Sequence, residues 1–257
     1  MTATYTPNEI MTVVAARALK NSDVLFVGIG APSAASNLAR LTHAPNITLI
    51  YESGTIETKP SVLPLSIGDG ELCDTALTTV AVPEMFRYWL QGGRITVGFL
   101  GGAQIDKYAN LNTTVVGSYD APKVRLPGGG GAPEISNSCA EIFIIMPQGR
   151  GFVKKLDFIT SLGHGEGDDH RQRLGVKTKG PTRLITDLCI FEPDPATKEM
   201  TVTSIHPGVT CDQIQENTGW TVRYANTVAE TAPPTAKELE VLRDLHARTK
   251  RAHGEAA

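Results

Sequence analysis

The sequence predicts an α/β fold in which an open, mostly parallel sheet is flanked by helices and followed by a C-terminal helix. Short apolar runs, such as residues 24–27 and 47–51, end at glycine or at turn-forming residues. Such runs are typical of strands buried on both faces. Amphipathic stretches with helix-start signals lie between them, and this alternation favours a parallel sheet with helices packed on its faces.

Helix starts are marked by side chains that can cap the first turn. The segments Thr6-Pro7-Asn8-Glu9, Thr210–Gln213 and Thr235–Glu238 all have the Thr-x-x-Glu/Gln form of a capping box. Each therefore predicts a helix beginning directly after its threonine. Two further helices are predicted, one from the apolar stripe of Ala34, Leu38 and Leu41 and one over 84–90.

Strands are predicted by apolar runs and by alternation, over 24–27, 47–51, 95–100, 113–116, 142–146, 183–191 and 200–205. The last of these alternates like one strand of a hairpin. No internal repeat is visible, and no stretch before Ala232-Pro233-Pro234 resembles a linker. We therefore expect one domain over residues 1–257 that ends in a helix.

Composition excludes several classes of protein. The 257 residues carry a net charge of −3, which excludes the broad basic surface of a nucleic-acid-binding protein. No apolar run approaches the roughly 18 residues of a membrane span. The N-terminus lacks a basic region and an apolar signal core, so we expect a mature, cytoplasmic chain. The scattered Cys73, Cys139, Cys189 and Cys211 are expected to be reduced, small buried residues.

Residues suited to ligand binding follow the predicted strands, where ligands gather in open α/β sheets. They lie in Gly28-Ile29-Gly30-Ala31-Pro32, Tyr51-Glu52-Ser53-Gly54, Gly101-Gly102-Ala103-Gln104 and the glycine-rich run Gly128–Ala132. Glu52 would be a partly shielded carboxylate on a turn. The amides of the glycine-rich run are candidates for binding an oxyanion.

Two of these patterns have a second interpretation. Gly28-x-Gly30-x-x-Ser33 resembles a dinucleotide fingerprint, and Glu52 follows at about the 20-residue spacing of a ribose-binding acid. Pro32 removes a backbone donor and Ser33 replaces the third glycine, so a tight strand-to-helix turn is preferred. The segment from His164 to His170 matches no metal-ligand spacing and is predicted to be a solvated loop.

Taken together, these segments resemble the second (β-type) subunit of the family I CoA-transferases. Five motifs carry the resemblance over nearly the whole chain: 27–32, 51–54, 100–106, 127–132 and Asn217-Thr218-Gly219. The segments 59–72 and 157–167 are most similar to the branch that contains the glutaconate CoA-transferases. The resemblance implies the CoA-transferase (NagB/RpiA-like) fold.

The resemblance also implies a reaction in which CoA moves from succinyl-CoA to a dicarboxylic or β-keto acid, with 3-oxoadipate as the first candidate. Glu52 would be the catalytic nucleophile and would carry a glutamyl-CoA thioester. The implied oxyanion and CoA-binding residues are Gly28, Gly30, Ser53, Gly54, Gln104, Gly130, Gly131 and Ala132. CoA and acyl-CoA are expected as substrates, with no permanently bound cofactor or metal. An α-type subunit is the implied partner, without nucleic acid or membrane.

Several alternatives stay open at this point. The acceptor could be glutaconate, or the same scaffold could serve an acyl-CoA hydrolase or C–C lyase in which Glu52 acts as a general base. A nicotinamide-dependent oxidoreductase and a non-catalytic subunit are two further hypotheses. Arg94, Arg125 and Lys59 are candidates for the substrate carboxylate, although most such side chains are simply exposed.

Overall fold

The computed structural model describes residues 4–254, which form two compact units. The first unit extends to Phe99 and resumes at Pro233, and the second is Leu100–Ala232. The single-domain expectation stays a prediction. The helices are α1 Pro7–Arg17, α2 Ala31–Leu41, α3 Gly70–Asp74, α4 Val82–Glu84 continuing as π-helical Met85–Leu90, α5 Ala132–Ser138, α6 His170–Arg173, α7 Cys211–Glu216 and α8 Ala236–Ala252.

The first unit contains strands β1 Val24–Val27, β2 Thr48–Tyr51, β3 Thr55–Ile56, β4 Thr78–Thr79 and, apart from its last residue, β5 Val97–Leu100. Their order is β5-β1-β2-β3-β4. β1 runs parallel to both neighbours, whereas β3 and β4 add antiparallel at the edge. In register, Val27 lies opposite Tyr51, so β1 and β2 end at the same edge of the sheet.

The second unit begins with two small hairpins, formed by β6 Gln104–Ile105 with β7 Leu111–Asn112 and by β8 Val115–Gly117 with β9 Pro122–Arg125. Its main sheet contains β10 Glu141–Ile145, β11 Pro181–Ile185, β12 Cys189–Pro193, β13 Met200–Ile205 and β14 Arg223–Glu230, in that order. The outer pairs β10–β11 and β13–β14 are parallel, and β12 runs antiparallel to both of its neighbours.

The predicted α/β fold, with a mostly parallel sheet flanked by helices, is confirmed. The continuous strand predicted over 183–191 is wrong, because β11 and β12 divide this run. Thr186 makes the division, since its hydroxyl accepts hydrogen bonds from the amides of Leu188 and Cys189 at 3.1 and 2.9 Å. A threonine side chain thus forms the turn without glycine or proline.

All three predicted capping boxes are present, at Thr6, Thr210 and Thr235. In the first unit, α1, α2 and α8 pack together, with Ile10, Val14, Leu38, Leu242 and Leu245 among their buried side chains. Arg17, in the last turn of α1, binds both carboxylate oxygens of Glu238 in the first turn of α8, at 2.7 and 2.6 Å. This bidentate pair ties the two ends of the chain together.

Two other expectations need correction. Cys139 and Cys189 are buried as predicted, but Cys73 and Cys211 are exposed. His164 does not lie in a solvated loop, because it is only 3% exposed and its Nε2 contacts the Pro181 carbonyl at 2.7 Å. Burial lowers the pKa of His164 to about 4, so the ring is neutral near pH 7.

None of the helices described between residues 4 and 254 has both the length and the apolar character needed to cross a membrane.

Glu238 gives a pH-dependent prediction. Burial opposes its ionisation, but the hydrogen bonds from Arg17 and Thr235 outweigh burial and lower its pKa to about 2, against an ordinary value of 4.5. The stabilisation from this carboxylate is therefore complete above about pH 4.5 and is lost as the pH falls towards 2. Replacing Glu238 by Gln should lower the free energy of unfolding at pH 7 by about 1 kcal/mol.

Denaturant unfolding between pH 2 and pH 7 measures this difference, which should shrink towards the acid end. Glu240→Gln is the matched control, because Glu240 lies on the same helix in an exposed pair with Lys237. A deficit for Glu238→Gln that stays constant with pH would contradict the assignment.

Candidate active site

The turn after β2 holds the predicted nucleophile. The Gly54 amide donates to the Tyr51 carbonyl at 2.9 Å, which closes a tight turn with Glu52 and Ser53 at its corner. Gly54 has φ +104°, and a Cβ atom there would overlap the carbonyl oxygen of Val80. The Val80 amide also donates to the Gly54 carbonyl at 2.9 Å. This position therefore requires glycine, and the turn is held on both sides.

Tyr51 anchors the same turn from beneath. Its side chain is fully buried, and its hydroxyl lies 2.6 Å from Ser33 Oγ on α2. Burial raises the pKa of Tyr51, so the phenol stays neutral over the physiological range. Asn37, one helical turn after Ser33, donates to the Ser33 carbonyl at 2.9 Å. The end of β2 is thus fixed to α2 by a buried polar contact.

Glu52 is half-buried, and burial raises the pKa of its carboxyl group. Among the described residues of its own unit, no cation or hydrogen-bond donor contacts this carboxylate. The neighbouring Ser53 hydroxyl is buried and has no hydrogen-bond partner in the part of the chain that the structure describes. A desolvated carboxylate without a compensating charge is more basic than one at the surface, which suits a nucleophile or a base.

Gly28 and Gly30 lie on the turn that follows β1. Because β1 and β2 end in register, this turn and the Glu52 turn leave the same edge of the sheet. Gly30 has φ +79°, and a Cβ atom there would meet nothing within 4 Å. A cavity of about 340 Å³ between α1, α2 and α8 is bordered by Gly30 and Ala31. Open space therefore adjoins this predicted binding glycine.

The glycine-rich run lies in the second unit and leads into α5. Gly128 and Gly130 have positive φ angles of 101° and 50°. The Ala132 amide donates to the Gly129 carbonyl at 3.0 Å, so it is used within the turn. The amides of Gly129, Gly130 and Gly131 have no acceptor among the described residues, so the predicted Gly130 and Gly131 are two of the three open donors of the run.

Gln104 is linked to this run through two consecutive residues. Its side-chain carbonyl accepts from Asn112 Nδ2 at 2.8 Å, and the carbonyl of the next residue, Thr113, accepts from the Gly128 amide at 2.8 Å. The contact with Asn112 fixes the Gln104 amide group so that its NH₂ group remains available as a donor. Hydrogen bonds through Asn112 and Thr113 thus connect Gln104 to the glycine-rich run, which holds the other predicted site residues of this unit.

Arg171 is a residue that sequence reasoning missed. It is only 4% exposed, and its guanidinium donates to the carbonyls of Gly163 at 2.7 Å and Ser136 at 3.0 Å. Burial lowers the pKa of Arg171 to about 10, and the group remains charged near pH 7. Ser136 lies on α5, so this arginine braces the helix that follows the glycine-rich run. No local pattern distinguishes it from a surface arginine.

The three candidate cations all make contacts in their own units. Lys59 pairs with Glu57 at 3.2 Å, Arg94 lies over the Trp89 ring, and Arg125 lies over the Tyr119 ring. None of these contacts distinguishes a substrate-binding cation from a surface one. Within residues 4–254, no three or more His, Cys, Asp or Glu side chains are grouped so as to hold a metal ion.

Comparison with known proteins places this chain among similar sequences and folds. The family model described as Coenzyme A transferase matches residues 8–217. The chain is 64% identical to one subunit of the 3-oxoadipate CoA-transferase of Pseudomonas knackmussii, over 98% of this chain and 97% of that one. It is 34% identical to one subunit of the glutaconate CoA-transferase of Acidaminococcus fermentans, over 90% and 89% of the two chains.

A crystal structure of the Acidaminococcus fermentans glutaconate CoA-transferase superimposes with a TM-score of 0.87, at 31% identity, and covers 95% of each chain. Its fold agrees with the one predicted from the sequence. With the family-model match, these similarities confirm the predicted CoA-transferase class, and the chain belongs to the Coenzyme A transferase family.

Proposed function

We propose that this chain is the β-type subunit of an enzyme that moves CoA from succinyl-CoA to a dicarboxylic or β-keto acid, with 3-oxoadipate as the acceptor and Glu52 as the nucleophile. One observation carries the proposal: Glu52 is a half-buried carboxylate of raised pKa, contacted by no cation among the described residues of its unit, on a turn held by Gly54 and Tyr51. The 3-oxoadipate enzyme named for the 64% identical relative supports the choice of acceptor.

The first half of the reaction transfers CoA to the enzyme. A Glu52 carboxylate oxygen attacks the thioester carbonyl of succinyl-CoA, the C–S bond breaks, and CoA leaves as a thiolate. The product is a mixed anhydride between Glu52 and succinate. The thiolate then attacks the Glu52 carbonyl and expels succinate, which leaves a glutamyl-CoA thioester.

The second half runs the same steps with the acceptor. A carboxylate oxygen of 3-oxoadipate attacks the Glu52 carbonyl and displaces the CoA thiolate, which forms a second mixed anhydride. The thiolate attacks the acceptor side of this anhydride, which releases 3-oxoadipyl-CoA and the free Glu52 carboxylate. No net proton or electron is gained or lost, and a carboxylate suits the task because it reacts like the acids that it exchanges.

The remaining predicted residues have supporting roles in this proposal. Each attack places negative charge on a carbonyl oxygen, and preorganised amide donors stabilise such a charge. Gly130 and Gly131 supply open amides, Gln104 supplies a side-chain NH₂ group, and Ala132 contributes to the shape of the turn. Gly28 and Gly30 leave room for the substrate, and the unpartnered Ser53 hydroxyl is a further donor next to Glu52.

The proposal includes an α-type subunit as partner, because the relatives at 64% and 34% identity are each named as one subunit of an enzyme. We expect a cytoplasmic enzyme with CoA and acyl-CoA as substrates and without a permanently bound cofactor. Co-expression with an α-type subunit should yield transferase activity, assayed with succinyl-CoA across 3-oxoadipate, glutaconate and related acids. A preference for glutaconate would identify glutaconate, and not 3-oxoadipate, as the acceptor, and the proposed transfer through Glu52 would be unchanged.

Chemical trapping tests the covalent step. The complex is incubated with succinyl-CoA in the absence of acceptor and is then treated with borohydride, which reduces a glutamyl thioester to an alcohol. Mass spectrometry should find Glu52 reduced, with release of CoA. An acyl-CoA hydrolase that uses Glu52 as a general base forms no such ester, so hydrolysis without any trapped species would overturn the transferase proposal.

Substitution tests the nucleophile directly. Glu52→Gln keeps the size of the side chain but removes the attacking carboxylate, and it should lower the transfer rate by about 10³-fold or more. The matched control is Glu57→Gln, because Glu57 lies in the same unit, partly exposed and paired with Lys59. Full activity of Glu52→Gln would favour a non-catalytic role for this subunit.

The raised pKa of Glu52 predicts the acid limb of the pH profile. Only the carboxylate attacks, so kcat/KM should fall tenfold per pH unit below the pKa of Glu52 in the free enzyme. Because burial raises this pKa above the ordinary glutamate value of 4.5, the fall should begin at a higher pH than an exposed glutamate would give. An acid limb at or below pH 4.5 would contradict the desolvated setting.

A further inference from the structure

A second cavity lies in the second unit, near the start of β14. Its volume is about 600 Å³, and it is bordered by Lys107, Lys154, Glu199, Gln215, Thr218, Gly219, Trp220, Thr221 and Arg223. None of these residues belongs to the nucleophile turn, the glycine-rich run or the other predicted site residues. Five of them, beginning with Thr218, lie beyond residue 217, where the family-model match ends.

Three cationic side chains border this cavity, and two of them, Lys107 and Arg223, contact the same buried carboxylate. The Glu199 side chain is only 7% exposed, and its Oε2 contacts Lys107 Nζ at 3.2 Å and Arg223 Nε at 3.4 Å. Partial burial lowers the pKa of Lys107, but the hydrogen bond and the charge of Glu199 outweigh it, so the pKa lies above its ordinary value. Because both nitrogens contact the same oxygen, they remain within reach of a single ligand.

The third cationic side chain, Lys154, lies on the segment against which the Asn217-Thr218-Gly219 motif packs. The Gly219 amide donates to the Phe152 carbonyl at 2.8 Å, and a Cβ atom at Gly219 would overlap that same carbonyl. The glycine therefore lets the segment after α7 pack directly against residues 152–154. Trp220 then stacks on Phe152, with 5.6 Å between ring centroids, and exposed Lys154 lies at the rim. Lys154 makes no ion pair among the described residues.

The charges of this cavity do not balance. Three cations border it with one carboxylate, so an excess of two positive charges faces the same space. Like charges held close together repel, and an anion of two charges removes that repulsion. Two ammonium groups and one guanidinium suit a compact phosphate, because lysine acts on phosphate as a point charge and arginine as a directional donor.

We propose that this cavity is a binding site for a phosphate group, contacted by Lys107, Lys154 and Arg223, and separate from the nucleophile turn. Its volume exceeds that of a free phosphate ion and accommodates an organic body beside the charged group. The shared chemistry is the phosphate dianion, whether free or carried as an ester. The site does not depend on the proposed transfer reaction, so either proposal can fail without the other.

Calorimetric titration of the full-length chain tests the site, with inorganic phosphate, adenosine 3′,5′-bisphosphate and succinate as probes at constant ionic strength. We expect both phosphate probes to bind. Lys154→Gln and Arg223→Gln should each weaken their binding at least about tenfold, since each removes one of three charge-assisted contacts. Tighter binding of the bisphosphate would identify an ester as the ligand, and equal binding would identify phosphate alone.

Lys155→Gln is the matched control. It removes the same charge one residue further along the chain, from an exposed lysine that does not border this cavity. Lys154→Arg should retain binding. Thermal melting of each variant verifies that the fold is unchanged. Absence of phosphate binding, equal weakening by Lys155→Gln, or binding of succinate as tight as that of phosphate would overturn the proposal.

Discussion

The close approach of Gly54 to the Val80 carbonyl is the constraint on which the candidate active site depends. It forces a positive φ angle and a residue without Cβ at the point where β2 turns into β3. The backbone forms a tight turn in which the Gly54 amide donates to the Tyr51 carbonyl, and Glu52 lies at the corner of this turn. The buried contact between Tyr51 and Ser33 fixes the same turn to α2. The carboxylate is thus positioned by its backbone, and its side chain makes no hydrogen bond or ion pair with the described residues of its unit.

Much of this arrangement was predictable because its causes are local. A capping box needs only two side chains three residues apart, so the starts of α1, α7 and α8 were visible in the sequence. The Glu-Ser-Gly turn likewise combines an apolar strand with a glycine at the position of positive φ. The resemblance to a known family then predicts Glu52 as the reactive residue. The comparisons confirmed the family, and the role of Glu52 stays a prediction.

What could not be predicted depends on residues distant in the chain. The turn at Thr186 was missed because a hydroxyl replaces the usual glycine or proline, and its role emerges only when its hydrogen bonds are seen. The burial of His164 depends on the Pro181 carbonyl of a neighbouring strand. Arg171 donates hydrogen bonds to the backbone carbonyls of Ser136 and Gly163, and no sequence pattern marks a carbonyl as the partner of a distant side chain. In each case the hydrogen-bond partner is a backbone group. Because every residue has such groups, the sequence does not show which of them a side chain will contact.

Comparison of the carboxylates shows why Glu52 is suited to chemistry. Glu238 is held by Arg17 and Thr235, which lower its pKa and leave it unreactive as part of a structural pair. Burial raises the pKa of Asp106, as it does for Glu52, but Asp106 accepts hydrogen bonds from Asn110 and from the Tyr108 amide and so is satisfied. Desolvation alone therefore does not distinguish a reactive acid. Glu52 combines desolvation with the absence of a hydrogen-bond or ion-pair partner among the described residues of its unit, and an acyl carbonyl is the kind of group that such a carboxylate can attack.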